Sequence, residues 1–147
     1  MPNTKTHRKH AALFIALMGL LLVLLIVHVS GGVDAVKLSS IEDAAQYAAD
    51  LGWTVSRPDM SEQKTVLPET FNAVYREYNA LQQRQGYDLQ PYAGKAVVIY
   101  SLPITDYPGE NGVCISLVTC RGKLIGGDIH SSAMSGFIHE LKGKEAP

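Results

Sequence analysis

The chain has 147 residues, with thirteen Lys and Arg against fourteen Asp and Glu and a formal net charge of −1. That near balance, with no basic cluster beyond residue 30, lacks the electrostatic footprint of a protein that binds nucleic acid, and no nucleic-acid partner is expected. The length suits one domain of ordinary size.

Residues 1–10 form a short basic tail with Lys5, Arg8 and Lys9, and no acidic residue occurs before Asp34. Nineteen residues without formal charge follow, Ala11 to Val29. At about 1.5 Å of rise per residue they span nearly the whole hydrocarbon core of a bilayer, so residues 11–29 read as a transmembrane anchor. The positive-inside bias keeps the tail in the cytoplasm. The expected location is the cell membrane, crossed once, with the remainder extracytoplasmic and the membrane as a partner. A cleaved signal peptide is the rival reading, since Val33 and Ala35 have the spacing a signal peptidase accepts. The apolar run is longer than the roughly 7–15 residues of a signal peptide, which favours a retained helix. His28 near its outer end reads as an interfacial side chain.

Residues 30–37 form a Gly-containing linker and residues 38–147 the extracytoplasmic domain. Beyond the membrane run lie all fourteen acidic residues and ten of the thirteen basic ones, a formal charge of −4. Ser39 or Ser40 is positioned to cap a helix carrying Ile41, Ala44, Ala45, Ala48 and Leu51 at helical spacing, with Glu42 and Asp43 in its first turn and Gly52 at its end. Trp53 with Val55, and then Thr65 to Leu67, have the content of two short strands, separated by a turn over Pro58 to Glu62. Pro68 fits a first helical position. Phe71, Val74, Tyr75, Tyr78 and Leu81 mark the inner face of a second helix, whose outer face carries Arg76, Glu77, Gln83 and Arg84 and which Gly86 closes.

Ala96 to Leu102 is apolar on both faces and reads as a central strand limited by Pro103. After the loop Asp106 to Gly112, Val113 to Cys120 and Lys123 to Ile129 form a hairpin turned by Arg121-Gly122. Simple alternation then places Val113, Ile115 and Leu117 beside Leu124, Asp128 and His130 on one sheet face. Cys114 and Val118 fall beside Ile125 and Ile129 on the other. Cys114 and Cys120, about 20 Å apart along one strand, are expected as free thiols on a common face, because a disulfide needs alpha carbons within roughly 7 Å. Gly126-Gly127 marks a bulge or a close backbone approach. Ser132 to Leu141 reads as a closing helix or turn. The fold class is α+β, an antiparallel sheet packed against two helices behind an N-terminal transmembrane helix.

Several ordered motifs carry a resemblance: Leu51-Gly52-Trp53, Tyr78-Asn79-Ala80-Leu81-Gln82, Gln85-Gly86-Tyr87-Asp88-Leu89, Tyr92-Ala93-Gly94-Lys95, Tyr107-Pro108-Gly109, Ile125-Gly126-Gly127-Asp128 and Gly136-Phe137-Ile138-His139. Across roughly residues 38–141 the chain resembles the bacterial domain of unknown function 4830. The resemblance implies a small exported or membrane-anchored domain of Firmicutes such as gut clostridia, and it implies no activity. Arg121 stands where Asn is expected at the hairpin turn, since Asn tolerates a positive φ better.

The polar residues nearest to a site are Asp128, His130, Ser131, Ser132, His139 and Glu140. A small hydrolase would use His130 or His139 as general base, Asp128 or Glu140 to orient it, and a serine as nucleophile. Neither Ser131 nor Ser132 is flanked by glycines as in a nucleophile elbow. A metal-dependent enzyme would take Asp128, His130 and His139 as ligands, but their spacing matches no short metal motif, so no metal or cofactor is expected. The bland alternative has Asp128 satisfying backbone donors at the Gly-Gly bulge. With no phosphate loop, dinucleotide fingerprint or CxxC motif, the favoured reading is an uncharacterised binding or accessory domain with a protein or cell-envelope partner. Its binding residues would be Tyr107, presented by the Asp106 to Gly112 loop, with Asp128, His130 and His139.

Overall fold

In the computed structural model, which describes residues 35–134 and 136–144, Ser40 starts the first helix, α1 (Ile41–Asp50), through a reciprocal cap. Its hydroxyl accepts from the Asp43 amide at 3.1 Å, and the Asp43 carboxylate accepts from the amides of Ser39 and Ser40. Two of the amide donors that the helix start would leave unmatched, those of Ser40 and Asp43, are thereby satisfied, with the Ser39 amide before them. Gly52 ends the helix at φ +86°. Ala44, Ala45 and Ala48 form its buried stripe.

Trp53 and Val55 do not make a strand. Val55 forms a single bridge to Ile104, and a 3-10 turn over Arg57–Asp59 follows. β1 begins at Ser61 (Ser61–Val66) and pairs along its length with β2 (Ala96–Pro103). Pro68 is not in a helix. Leu67 remains in the ladder, with its amide bonded to the Lys95 carbonyl and its carbonyl to the Gly94 amide, so the chain is still extended there. The second helix, α2 (Ala73–Arg84), starts five residues later than the proline suggests, capped by the Asn72 side chain on the Tyr75 amide.

The α2 stripe is also rotated from the expected one. Val74 is 73% exposed, while Asn79, Leu81 and Gln82 are buried. Asn79 is satisfied by the Leu89 amide and Asp88, and so holds the turn after the helix in place.

β2 pairs with β3 (Val113–Cys120), and β3 with β4 (Lys123–Ser131) through the two-residue Arg121-Gly122 turn. Both turn residues have positive φ, +52° and +73°, the geometry that matches strand twist in tight hairpins. Arg121 bears the cost of that conformation where Asn would adopt it more easily. The segment after β4 holds a two-residue strand, β5 (Ile138–His139), in place of the expected helix or turn, because Ile129 and His130 offer a free ladder edge. The sheet order is β1-β2-β3-β4-β5, antiparallel throughout.

One helix covers each face. α1 packs with Tyr100, Leu102, Ile115, Leu117 and Ile129. On the opposite face Leu67, Phe71, Leu89, Val97, Val118 and Ile125 form a second cluster, which Tyr75 and Tyr78 of α2 join. The β3–β4 register slips by one residue between Val118 and Thr119, because Val118 faces Gly126 and Thr119 faces Leu124, leaving Ile125 as the extra residue. This bulge, one position before the expected one, reverses the face assignment beyond it. Ile129 therefore joins Ile115 in the α1 core, and Asp128 and His130 lie on the α2 face with Cys114 and Ser116. Cys114 and Cys120 are free thiols in the one strand β3.

The outer edge of β4 is covered in three pieces. Val36 accepts from the Leu124 amide and Lys37 bridges to Lys123 at one end, and β5 pairs at the other. Between them two glutamines of the α2 end serve the backbone of Gly127. Its amide donates to Gln82 Oε1 at 2.8 Å, and its carbonyl accepts from Gln85 Nε2 at 2.7 Å. Gln82, and not Asp128, thus satisfies the donor at the Gly-Gly segment.

The described fold belongs to the second of two compact units, Ala35–Pro147. The expected transmembrane anchor at 11–29 lies outside the described residues. Among the described residues no helix is long and apolar enough to cross a membrane.

Candidate functional site

Asp128 and His130 are two residues apart on a strand, so they project from the same face. His130 Nδ1 lies 2.8 Å from Asp128 Oδ1, and the Tyr78 hydroxyl of α2 donates to Oδ2 at 2.7 Å. Both carboxylate oxygens therefore have a partner, as a carboxyl that is only 4% exposed requires. The hydrogen bond that His130 donates to Asp128 raises the pKa of His130 above its ordinary value of 6.5, against an opposing effect of burial. Burial, reinforced by the Asp128 charge, pushes Tyr78 far up, so its hydroxyl stays protonated and remains a donor.

Beside this trio the α2 face opens into a cavity of about 360 Å³. Thr65 of β1, Ile99 of β2 and Ser116 and Val118 of β3 form its sheet wall, while Val74, Tyr75 and Tyr78 form the helix wall. Leu67 and Leu89 flank it, and among the described residues Asp128 is the one carboxyl on the lining. Apolar walls with a few convergent polar groups are the usual character of a small-molecule site.

Cys114 is the cross-strand partner of His130. Burial, and secondly the Asp128 charge, push its thiol pKa up, opposite to the shift that activates a nucleophilic cysteine.

The other expected site residues lie elsewhere. His139 pairs with Ile129 and so projects to the α1 face, away from Asp128. Its ring stacks on Phe137 at a 4° interplanar angle, and its Nε2 lies 3.1 Å from the Tyr107 hydroxyl. Tyr107 is not presented by its loop. It is sandwiched between Trp53 and Phe137, with centroids at 5.3 and 5.4 Å, and packs against the α1 core. Glu140 is paired with Arg84 at the end of α2, and Ser131 with Glu110. The cluster read from the sequence thus separates into an Asp128–His130 pair on one face and an aromatic group with His139 on the other. Among the described residues no group of three His, Cys, Asp or Glu side chains is arranged to hold a metal ion.

Tyr78, Ser116, Thr65 and Leu89 were not singled out from the sequence as site residues. Tyr78 had a signal, a polar hydroxyl on an inward helix stripe, but its partner lies fifty residues away in sequence.

The model of the family described as Domain of unknown function (DUF4830) matches residues 48–129, more than half of the chain. The chain belongs to the DUF4830 family. The matched span contains Tyr78, Ser116 and Asp128, together with Gln82 and the two glycines it contacts, and ends one residue before His130. No curated protein and no solved structure matches the chain.

The pair has a measurable consequence for this DUF4830 domain. Because the folded pKa of His130 is raised, its protonated form stabilises the fold. That contribution is complete below its ordinary value of 6.5 and is lost as pH rises through the elevated one. An NMR titration of the His130 ring should give a midpoint above 6.5 in the native chain, returning to or below that value in Asp128→Asn. An unchanged midpoint in the variant would remove Asp128 as the cause.

Proposed function

We propose that this DUF4830 protein is a binding domain held at the outer surface of a membrane by residues 11–29, taking a small ligand between α2 and the sheet. The charge-free run and the basic tail before it support the location. The cavity of about 360 Å³ ending on buried Asp128 carries the binding reading. A helix laid on a sheet ordinarily fills such a space with side chains. Here Val74, 73% exposed, stands on the helix wall with Tyr75 and Tyr78, and the volume between these side chains and the sheet stays open.

The enzyme alternative requires Asp128, His130, His139 and Glu140 in one place. His139 lies on the other sheet face and Glu140 is held by Arg84, so the geometry disfavours that arrangement. The raised pKa of Cys114 likewise disfavours thiolate chemistry beside His130.

Both halves of the proposal can be tested. Protease added to intact protoplasts should digest the domain beyond Gly32 and spare an N-terminal tag; a protected C-terminus would reverse the orientation. For binding, a thermal-shift screen of small apolar molecules on the full chain should find compounds that stabilise it. The gain reaches about 2.7 kcal/mol at a hundredfold excess over Kd. Ser116→Leu, which fills the cavity, should fold and lose that response. Hits that stabilise this variant equally would place binding outside the cavity.

A further inference from the structure

Resting on the cavity reading, the geometry points to the class of ligand: a small organic ammonium, with an aryl or branched alkyl body among the apolar side chains and its positive head on Asp128. Three observations carry this. Among the described residues the lining carries one carboxylate, Asp128, and no Lys, Arg or His lines the space with it. Asp128 accepts one hydrogen bond at each oxygen, from His130 and from Tyr78. A carboxylate has about four acceptor positions, so about two remain for an ammonium N–H. Finally, the aromatic rings of Tyr75 and Tyr78 line the wall beside that carboxylate, and ring faces attract organic cations.

The alternatives fit less well. A carboxylate or phosphate ligand would meet Asp128 as a like charge whenever His130 is neutral, and would find no donor cation among the described lining residues. A neutral alcohol could donate to Asp128 but would gain nothing from its charge. The size is consistent with a small ligand, since about 360 Å³ lies at the lower end of ligand cavities, roughly 300–1,000 Å³.

His130 sets the strength of the site. When protonated it neutralises Asp128, and when neutral it leaves the carboxylate charge to the ligand. The titratable groups nearest this carboxylate are its two hydrogen-bond partners, His130 on β4 and Tyr78 on α2, and Cys114 on β3, with Tyr75 of α2 on the same cavity wall. Tyr78 and Cys114 both have raised pKa values and stay neutral near pH 7, so His130 alone changes charge among the three.

The test compares isosteric probes on the full chain in lipid nanodiscs, read from the methyl NMR signals of Leu67, Ile99, Leu89 and Val118. 2-Phenylethylamine should bind at least tenfold more tightly than 2-phenylethanol, with 3-phenylpropionate weakest. Asp128→Asn should abolish the preference for the amine, and His130→Gln should strengthen amine binding at pH 6. If the alcohol binds as well as the amine, or the preference survives Asp128→Asn, the ammonium assignment is overturned while the cavity reading stands. If none of the three probes moves those methyl signals, both fail. Should Asp128→Asn not fold, the amine-to-alcohol ratio on the native chain decides by itself.

Discussion

Trp53→Ala is expected to lower stability by about 3–5 kcal/mol, the range for deleting a large buried aromatic side chain. Trp53 is 5% exposed and forms the base of the stack that continues through Tyr107 and Phe137 to His139. Its indole N–H also donates to the Lys142 carbonyl at 2.9 Å, and the Lys144 amide reaches Leu51 at 2.7 Å. The residue therefore ties the C-terminal segment to the end of α1, and its loss should loosen β5 as well as the core. A domain of this size shifts its melting temperature by about 4–8 °C per kcal/mol, so a drop of about 15 °C or more should appear in a circular dichroism melt. Trp53→Phe keeps a ring in the stack but leaves the Lys142 carbonyl without its donor, and should cost about 1 kcal/mol. A Trp53→Ala melt within 3 °C of the native one would remove the stack as a stabilising element.

This aromatic group shows what was readable from sequence and what was not. Trp53, Tyr107, Phe137 and His139 each stood out by residue type, yet nothing local joins them. The residues of the stack come from three separate segments. Local signals did better. Ser40 with Asp43 specifies its helix start within four residues, and Arg121-Gly122 its hairpin within two, because those interactions close inside the segment that encodes them. Pro68 misled because a proline suits a strand exit as well as a helix start, and the ladder bonds of Leu67 decided between them. Asp128 and His130 were bound to share a face whatever the register, since a strand alternates with period two. Which face they share depended on one extra residue at Ile125, and a single-residue slip exchanges the two sides of a sheet. The cavity was not legible at all. Its helix wall follows from how α2 is turned, with Asn79 and Gln82 buried and Val74 exposed, and the reward for burying Gln82 lies at Gly127, forty-five residues away.

That long-range contact makes Gly127→Ala the other substitution of large expected effect. A Cβ at Gly127 would lie 2.5 Å from the Ser116 carbonyl oxygen and 2.8 Å from Leu141 Cδ1. The Ser116 oxygen belongs to the paired strand β3, so relief requires β4 to move away from its neighbour or to twist. Either movement disturbs the Gly127 amide on Gln82 and its carbonyl on Gln85. The cost should reach about 3 kcal/mol, the upper part of the range for overpacking a close-fitted interior. At Gly126 the added Cβ would meet Gln82 Oε1 at 2.8 Å and Leu89 Cδ2 at 3.2 Å, both side-chain atoms that can shift. Gly126→Ala should therefore be the milder variant, although any movement of Gln82 weakens the same Gly127 bond. Urea unfolding of the two variants should rank Gly127→Ala below Gly126→Ala, and Gln82→Met should fall between native and Gly127→Ala. The methionine keeps the volume but leaves the buried Gly127 amide without its acceptor, a loss of about 1–3 kcal/mol. A Gly127→Ala variant as stable as the native chain would mean that β4 can leave β3 at this point without cost, and Gln82 would then no longer explain why α2 buries a polar face.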